Sequence, residues 1–188
     1  MDWTEKKLDG QTIFDGRVLR LEVDRVLLPN GHESTREVVR HPGGVAIVAV
    51  DDEGCVLTVR QYRYVFGTVI EEIPAGKLEP NELPHLSAAR ELREETGATA
   101  ENWTFLGSFY ASPGCYSEIL HLYLAQSLRF SEQCLDEDEF LTVHRTPFAT
   151  LYRQALAGKL PDAKTSTGLL LAAQHLSPYI EEVSKGAV

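Results

Sequence analysis

Residues 76–98 constrain this chain more than any other segment, because they combine a predicted helix with closely spaced acidic side chains. The second half of the segment contains strong helix formers, and Gly97 is placed to end the helix just after its last turn. Pro84 suits the first turn, after a cap at Asn81 or Glu82, because proline loses no hydrogen bond there. The segment therefore predicts a short α-helix with an acidic surface.

The charges on this helix are arranged against its stability. At 3.6 residues per turn, Ala88, Glu91 and Glu95 share one face. Glu91 and Glu95 are like charges at i and i+4, which costs about 0.2–0.5 kcal/mol. Glu94 and Glu95 also lie in the last turn, where the helix dipole disfavours anions by about 0.3–1 kcal/mol each. Arg90 can pair with Glu94, but no local side chain is expected to neutralise Glu91 and Glu95.

A divalent cation would relieve the repulsion between Glu91 and Glu95. Carboxylates one turn apart, about 5–6 Å at Cβ, can converge on one hard ion. Mg²⁺ takes one or two protein carboxylates and leaves its other positions to water and substrate phosphates. The alternative is a solvated acidic helix face, which an isolated E-x-x-E-E pattern would favour.

The spacing over the whole segment resembles the signature of the Nudix hydrolases, G-x5-E-x7-R-E-U-x-E-E-x-G-U, in which U is aliphatic. A chance match at seven fixed positions is on the order of 10⁻⁸ per window. The last position departs from the signature, since Ala98 replaces a larger aliphatic residue and weakens a packing contact. The matching residues are Gly76, Glu82, Arg90, Glu91, Leu92, Glu94, Glu95 and Gly97.

Composition limits the partners of the chain. A net charge of −10 argues against a nucleic-acid surface, so an anionic substrate must be captured locally by a metal and a few arginines. Three cysteines without C-x-x-C spacing suit a reducing compartment. The first residues, MDWTEKKLDG, lack an apolar signal core, and no apolar run approaches the roughly 18 residues of a membrane span. We therefore expect a cytoplasmic protein without nucleic-acid or membrane partners.

Strand patterns surround the predicted helix. Residues 45–50, a turn at 51–54 and residues 56–59 predict a buried central hairpin. Strands are also expected within 12–40, with a turn at 29–31, and at 103–111, 119–125 and 140–143. Helices are expected at 147–157 and 165–175. This order predicts an α/β fold, an α/β/α sandwich on a mixed sheet, as the Nudix resemblance implies too. The expected domains are an N-terminal β arm at 1–40 and a Nudix domain at 41–188.

Three further features are similar to the ADP-ribose and nucleoside-diphosphate-sugar pyrophosphatases within that family. Residues 72–76 resemble the E-x-P-A-G entry of that subfamily, and Pro113 lies 16 positions after Gly97, where those enzymes typically carry a proline. The acidic run at residues 136–139 precedes the last predicted strand, like the loop that carries a catalytic glutamate. By this resemblance the N-terminal arm packs on a second subunit in a homodimer, although an ordinary edge hairpin within one chain is the alternative.

The resemblance implies roles residue by residue. Glu91, Glu95 and the carbonyl of Ala75 correspond to ligands of Mg²⁺, for which Mn²⁺ can substitute. Glu94 corresponds to a ligand of a further ion. Glu139 is the expected general base, with Glu137 as the alternative.

Other residues of the resemblance bind substrate or support the fold. Arg63 corresponds to a phosphate-binding arginine, Glu72 to an acidic residue near the ribose, and Pro113 to a substrate-loop residue. Residues assigned a structural role in the motif are Gly76, Glu82, Arg90 and Gly97.

The implied activity is Mg²⁺-dependent hydrolysis of the pyrophosphate bond of nucleoside diphosphate sugars, most simply ADP-ribose or ADP-sugars. The products would be a nucleoside monophosphate and a sugar phosphate. Val18 and Arg36 stand where some dimeric ADP-ribose pyrophosphatases carry tryptophans that stack on adenine. A GDP-mannose hydrolase or a broad nucleotide-sugar hydrolase is therefore an alternative, and a non-catalytic Nudix-fold sensor of nucleotide sugars is another. An RNA-directed hydrolase is disfavoured by the lack of a basic or aromatic surface.

Overall fold

A computed structural model describes residues 2–135, 137 and 139–179. Asp136 and Asp138 of the acidic run therefore lie outside the described residues. The strands are β1 Lys6–Asp15, β2 Arg20–Leu27, β3 Glu33–Arg40, β4 Gly44–Val50, β5 Cys55–Arg63, β6 Thr68–Glu72, β7 Ala75–Lys77, β8 Ala98–Tyr110, β9 Ile119–Phe130 and β10 Leu141–Pro147. The α-helices are α1 Pro84–Thr96, α2 Phe148–Leu156 and α3 Ala163–Ala172. None of these helices has the length and apolar character needed to cross a lipid bilayer.

The chain forms two compact units, and the first comprises residues 1–43 and 109–119. Its antiparallel sheet has the order β1-β2-β3. The expected turn joins β2 to β3, where Gly31 has a φ of 84°. Strand β1 begins well before residue 12, where sequence patterning placed the first strand. The pairing of β1 with β2 contains two register shifts, which break the alternation of side chains that marks a strand in a sequence. The early start of β1 could therefore not be predicted from that alternation.

The second unit comprises residues 44–108 and 120–188. Over the described residues its main sheet has the order β10-β5-β4-β9-β8, while β6 pairs with β5 and β7 pairs with β4. Strand β4 pairs antiparallel with β5 and parallel with β9, so the sheet is mixed. The central hairpin expected from the sequence is thus confirmed.

Both faces of this sheet are covered, which explains why β4 is apolar throughout. Val45, Ile47 and Ala49 pack with Ala88 and Leu92 of α1 on one face. Alternate residues of β4 pack with α2 and α3 on the other face. Helices on the two faces of a mixed sheet form an α/β/α sandwich, so the predicted fold class is confirmed.

The helix ends differ slightly from the sequence predictions. Helix α1 begins at Pro84 after an extended Leu83, which makes no side-chain cap, so the caps predicted at Asn81 or Glu82 are wrong. Gly97 ends it with a φ of 69°, as predicted. Helix α3 starts two residues earlier than expected, because the side chain of Asp162 accepts a hydrogen bond from the amide of Thr165.

Candidate active site

Glu91 and Glu95 lie on the buried face of α1, at 8% and 4% exposure. Oε2 of Glu95 accepts a hydrogen bond of 3.0 Å from the amide of Ala75 on β7. A Cβ added to Gly76 would lie within 1.9–2.2 Å of the Glu91 carboxylate. Glycine at position 76 therefore lets this carboxylate lie directly against the backbone of β7.

Arg90 connects four parts of the motif. Its Nε and Nη2 donate to the two carboxylate oxygens of Glu82, each at 2.9 Å, and Nη2 also donates to the carbonyl of Lys77. Its Nη1 donates to Glu94 at 2.9 Å and to Glu91 at 2.8 Å. The expectation that no local side chain neutralises Glu91 is therefore wrong, because the long guanidinium reaches its sequence neighbour.

We expect Glu82→Gln to lower the free energy of unfolding by about 1–2 kcal/mol near pH 7, since it removes a charge-assisted pair with Arg90. That pair lowers the pKa of Glu82 from an ordinary 4.5 to about 2. A carboxylate with a lowered folded pKa contributes stability above its unfolded pKa and loses it as the pH falls. The difference between wild type and variant should therefore shrink between about pH 4.5 and pH 2 in urea denaturation curves. A difference that is constant over this range would contradict the pairing.

The buried carboxylates of α1 are electrostatically strained. Burial, together with the charges of Glu91 and Glu139, raises the pKa of Glu95 to about 8 against the opposing hydrogen bond from the Ala75 amide. Burial also raises the pKa of Glu91, to which Glu94 and Glu139 add, while Arg90 opposes. This region therefore has a deficit of positive charge.

The acidic loop contributes to the same electrostatic field. Glu139 is half-buried, whereas Glu137 is exposed. The charge of Glu139 acts on both Glu91 and Glu95. Glu139 is therefore electrostatically coupled to both helix carboxylates.

Arg63 and Glu72 form a second cluster at the ends of β5 and β6. Arg63 donates to both carboxylate oxygens of Glu72, at 2.7 and 3.0 Å, and Lys164 of α3 contacts the same carboxylate. Burial disfavours the charge of Glu72, but the two cations outweigh this and lower its pKa. Lys164 also pairs with Asp162 at 2.9 Å. Sequence reasoning missed Lys164, because it lies 92 positions from Glu72 and belongs to no recognised motif.

Pro113, the remaining candidate, is exposed and belongs to the unit formed by residues 1–43 and 109–119. The helix carboxylates, Arg63, Glu72 and Glu139 all belong to the other unit.

The helix carboxylates fit a divalent cation through their charge. Among the residues that the structure describes, no three acidic, histidine or cysteine side chains converge as ready metal ligands. The raised pKa values of these two buried carboxylates nevertheless show that their ionised forms lack sufficient countercharge beside the Ala75 backbone, which a bound cation would supply. Such a small set of oxygen ligands is what Mg²⁺ requires, because water and phosphate complete its shell.

Two family models match successive parts of the chain. The NUDIX domain matches residues 40–167, and the nucleoside diphosphate sugar hydrolase N-terminal domain matches residues 5–39. The chain therefore belongs to the Nudix family, whose members generally use divalent metals, and the resemblance found in the helix motif is confirmed.

Individual relatives place the chain near the nucleotide-sugar branch. It is 46% identical over 164 residues to the ADP-ribose pyrophosphatase of Bacillus subtilis (strain 168), covering 86% of this chain and 89% of the relative. It is 44% identical over 174 residues to the methanol dehydrogenase activator of Bacillus methanolicus, covering 92% of each. A more distant relative is the GDP-mannose pyrophosphatase of Yersinia enterocolitica serotype O:8, 31% identical over 153 residues, or 76% of this chain and 80% of the relative.

The crystal structure of an ADP compounds hydrolase has the same fold. It superposes with a TM-score of 0.79 over 98% of this chain and 97% of that chain, at 24% identity.

Proposed function

We propose that this chain is a pyrophosphohydrolase of nucleoside diphosphate sugars, with ADP-ribose or another ADP-sugar as substrate. The observation that carries the proposal is the buried Glu91–Glu95 pair on the Nudix helix, beside the charge of Glu139. The match of residues 5–39 to a nucleoside diphosphate sugar hydrolase domain supports the substrate class. Similarity to a relative named ADP-ribose pyrophosphatase supports ADP-ribose.

Glu91, Glu95 and the carbonyl of Ala75 would hold the cation, with Mg²⁺ as the proposed ion and Mn²⁺ as a substitute. When bound, this ion supplies the positive charge that a diphosphate requires before a nucleophile can approach its phosphorus. Glu94 would contribute to a further ion. The Glu94 side chain pairs with Arg90 but remains 32% exposed, so an ion can approach its carboxylate from the solvent side.

The remaining side chains would bind substrate and move the proton. Arg63 presents a guanidinium that can bind a phosphate through two parallel hydrogen bonds, once it leaves Glu72. Glu72 would then be free to accept a hydrogen bond from a ribose hydroxyl. A carboxylate oxygen of Glu139 would take a proton from the attacking water while the water oxygen forms its bond to phosphorus. The bond to the bridging oxygen breaks, and the products are a nucleoside monophosphate and a sugar phosphate.

One assay separates the candidate functions. The protein is incubated with Mg²⁺ and, separately, with ADP-ribose, GDP-mannose, dinucleoside polyphosphates and capped RNA. We expect the highest kcat/KM with ADP-ribose. Preference for GDP-mannose would support the alternative suggested by Val18 and Arg36, which lack the aromatic surface for base stacking. Binding of nucleotide sugars without turnover would identify a sensor and refute the enzyme, although every motif glutamate is present.

We further propose that the protein is a cytoplasmic homodimer that associates through the N-terminal arm at residues 1–40. Ile13 and Phe14 of β1 are 50% and 56% exposed, which leaves apolar area for a partner. The free cysteines Cys55, Cys115 and Cys134 suit a reducing compartment. Light scattering coupled to gel filtration should give twice the chain mass, and a monomer at micromolar concentration would contradict the dimer.

We expect Lys164→Met to raise the KM for ADP-ribose about tenfold, with kcat within about twofold of wild type. Without Lys164, the buried Glu72 carboxylate keeps Arg63 as its principal countercharge and holds it away from phosphate. Steady-state kinetics measure the effect. Lys164→Arg is the matched control, because it retains the charge and should retain the wild-type KM. An unchanged KM in Lys164→Met would show that Arg63 does not exchange between Glu72 and substrate.

A further inference from the structure

The carboxyl end of α1 is closed by the segment at residues 131–134. The last carbonyls of a helix lack partners within the helix and need them from elsewhere. The amide of Cys134 donates to the carbonyl of Glu94 at 3.1 Å, and Nε2 of Gln133 donates to the carbonyl of Glu95. The amide and hydroxyl of Ser131 both donate to the carbonyl of Gly97, at 2.7 and 2.9 Å. Four hydrogen bonds from three residues of one loop therefore hold it on the helix end.

Gly97 allows the segment to approach this closely. A Cβ at this position would lie 2.2 Å from the carbonyl oxygen of Ser131 and 3.1 Å from the amide nitrogen of Gln133. The absence of a side chain at Gly97 thus serves the docking of the loop as well as the positive φ of the helix end. These hydrogen bonds from the segment at 131–134 to the carbonyls of Glu94, Glu95 and Gly97 are here called the loop clasp.

The loop clasp joins the two halves of the candidate site. Its helix side includes the carbonyls of Glu94 and Glu95, and the Glu95 side chain is one of the two buried carboxylates of α1. Its loop side ends at Cys134, five positions before Glu139. The clasp therefore ties the segment that precedes Glu139 to the helix that carries both carboxylates.

We propose that Gln133 is a positioning residue, which through the loop clasp fixes the segment that precedes Glu139, so that Glu139 faces the same substrate atoms as Glu91 and Glu95. Gln133 anchors the loop through its side chain, whereas Cys134 uses its backbone amide and Ser131 uses both amide and hydroxyl. The side-chain amide of Gln133 stays uncharged over the working pH range. It can therefore donate to the Glu95 carbonyl in every protonation state of the site. This proposal rests on the proposed function, because it assigns a role relative to the general base.

The test is a double-mutant cycle with Gln133→Ala and Glu139→Gln, assayed with ADP-ribose and Mg²⁺. Displacement of a reacting group by about 1 Å can cost on the order of 100-fold in rate, so we expect Gln133→Ala alone to lower kcat about 10- to 100-fold. KM and the half-saturating Mg²⁺ concentration should stay within about twofold, because substrate and metal ligands are unchanged. In the Glu139→Gln background, Gln133→Ala should lower kcat almost no further. The base is already absent from this variant, so displacing the side chain at position 139 has no additional effect on the rate.

A matched control and a structural readout accompany the cycle. Glu132→Gln changes the exposed neighbour of Gln133 and should keep the wild-type kcat. Hydrogen exchange at the amide of Cys134 should accelerate in Gln133→Ala, because this amide is protected by the Glu94 carbonyl. If Gln133→Ala does not fold, Ser131→Ala removes one of the two hydrogen bonds to Gly97 and should give a smaller loss with the same dependence on Glu139.

The outcomes separate the two proposals. A wild-type protein without hydrolysis of any nucleotide sugar would overturn the proposed function and this role with it. An active wild type with wild-type kcat in Gln133→Ala would overturn the role of Gln133 alone. The role of Gln133 would also be overturned if the kcat losses from Gln133→Ala and Glu139→Gln multiplied in the double variant. Unchanged hydrogen exchange at the Cys134 amide in Gln133→Ala would overturn it too.

Discussion

Replacing Glu95 by glutamine is expected to reduce kcat by on the order of 10³-fold, because the buried helix site loses one of its two anionic oxygen ligands. The glutamine side chain has nearly the same volume, and its carbonyl oxygen can still accept the hydrogen bond from the Ala75 amide. The fold should therefore survive, and the loss should fall on turnover. Steady-state kinetics over a range of Mg²⁺ concentrations measure both kcat and the concentration of metal required.

The unfolding of the metal-free protein supplies an independent control for Glu95→Gln. Burial raises the pKa of Glu95 to about 8 from an ordinary 4.5, so the folded state retains a proton that the unfolded state has lost. Wild-type stability in EDTA should consequently fall as the pH rises from about 4.5 to about 8, whereas the variant should lack this contribution. Glu101→Gln, an exposed glutamate paired with Arg129, should match wild type in every assay. Wild-type turnover in Glu95→Gln would refute the assignment of this carboxylate to the metal.

The acidic helix could be predicted from the sequence because its information is local. The i, i+4 spacing places Glu91 and Glu95 on one face, and both are buried. The glycine after the last turn adopts a positive φ in the structure, as glycine at a helix end commonly does. The packing of β4 on both of its faces likewise follows from an apolar run too short for a membrane helix and too continuous for a half-exposed strand.

The contacts of Arg90 show where local reasoning fails. Helical spacing predicts its pair with Glu94 but places Glu91, the next residue, about 100° away on the helix. A flexible side chain with five N–H donors is not bound by that spacing, and it serves Glu82, Glu91 and Glu94 together. Arg90 therefore partly neutralises the charge of Glu91. Glu95 has no such pair with Arg90, and its pKa is raised to about 8.

Lys164 and Gln133 could not be found from the sequence, because their roles depend on tertiary contacts. Lys164 meets Glu72 where the start of α3 approaches the end of β6, and the amide of Ile73 is fixed there by the Thr165 hydroxyl. Gln133 meets the Glu95 carbonyl because the loop after β9 returns to the end of α1. Neither contact has a spacing that a motif could record.

In the proposed function, the contacts of Lys164 also account for how an acidic protein would bind an anionic substrate. The net charge of −10 repels a diphosphate at long range. Within the site, however, Arg63 and Lys164 bring two positive charges to one buried carboxylate. Exchange of Arg63 from Glu72 to a phosphate would conserve the number of ion pairs, so binding would not leave a buried charge without a partner.

Replacing Glu139 by glutamine is expected to lower kcat by roughly 10²- to 10⁴-fold, the usual contribution of a general base, because the amide cannot take a proton from the attacking water. Glu139 is half-buried and its charge acts on both helix carboxylates, which supports its proposed role as the base. The half-saturating Mg²⁺ concentration should change little, since Glu91 and Glu95 remain. This combination of lower kcat and retained metal requirement distinguishes a base from a metal ligand.

Glu137→Gln is the matched comparison for Glu139→Gln, because it makes the same chemical change two positions earlier in the same loop. Glu137 is exposed, so we expect its variant to keep a kcat within about threefold of wild type. The reverse result, a large loss at Glu137 and wild-type turnover at Glu139, would assign the base to Glu137. Because Glu139 lies within the field of the helix carboxylates and the loop clasp fixes the loop five positions before it, the half-buried carboxylate should carry the loss.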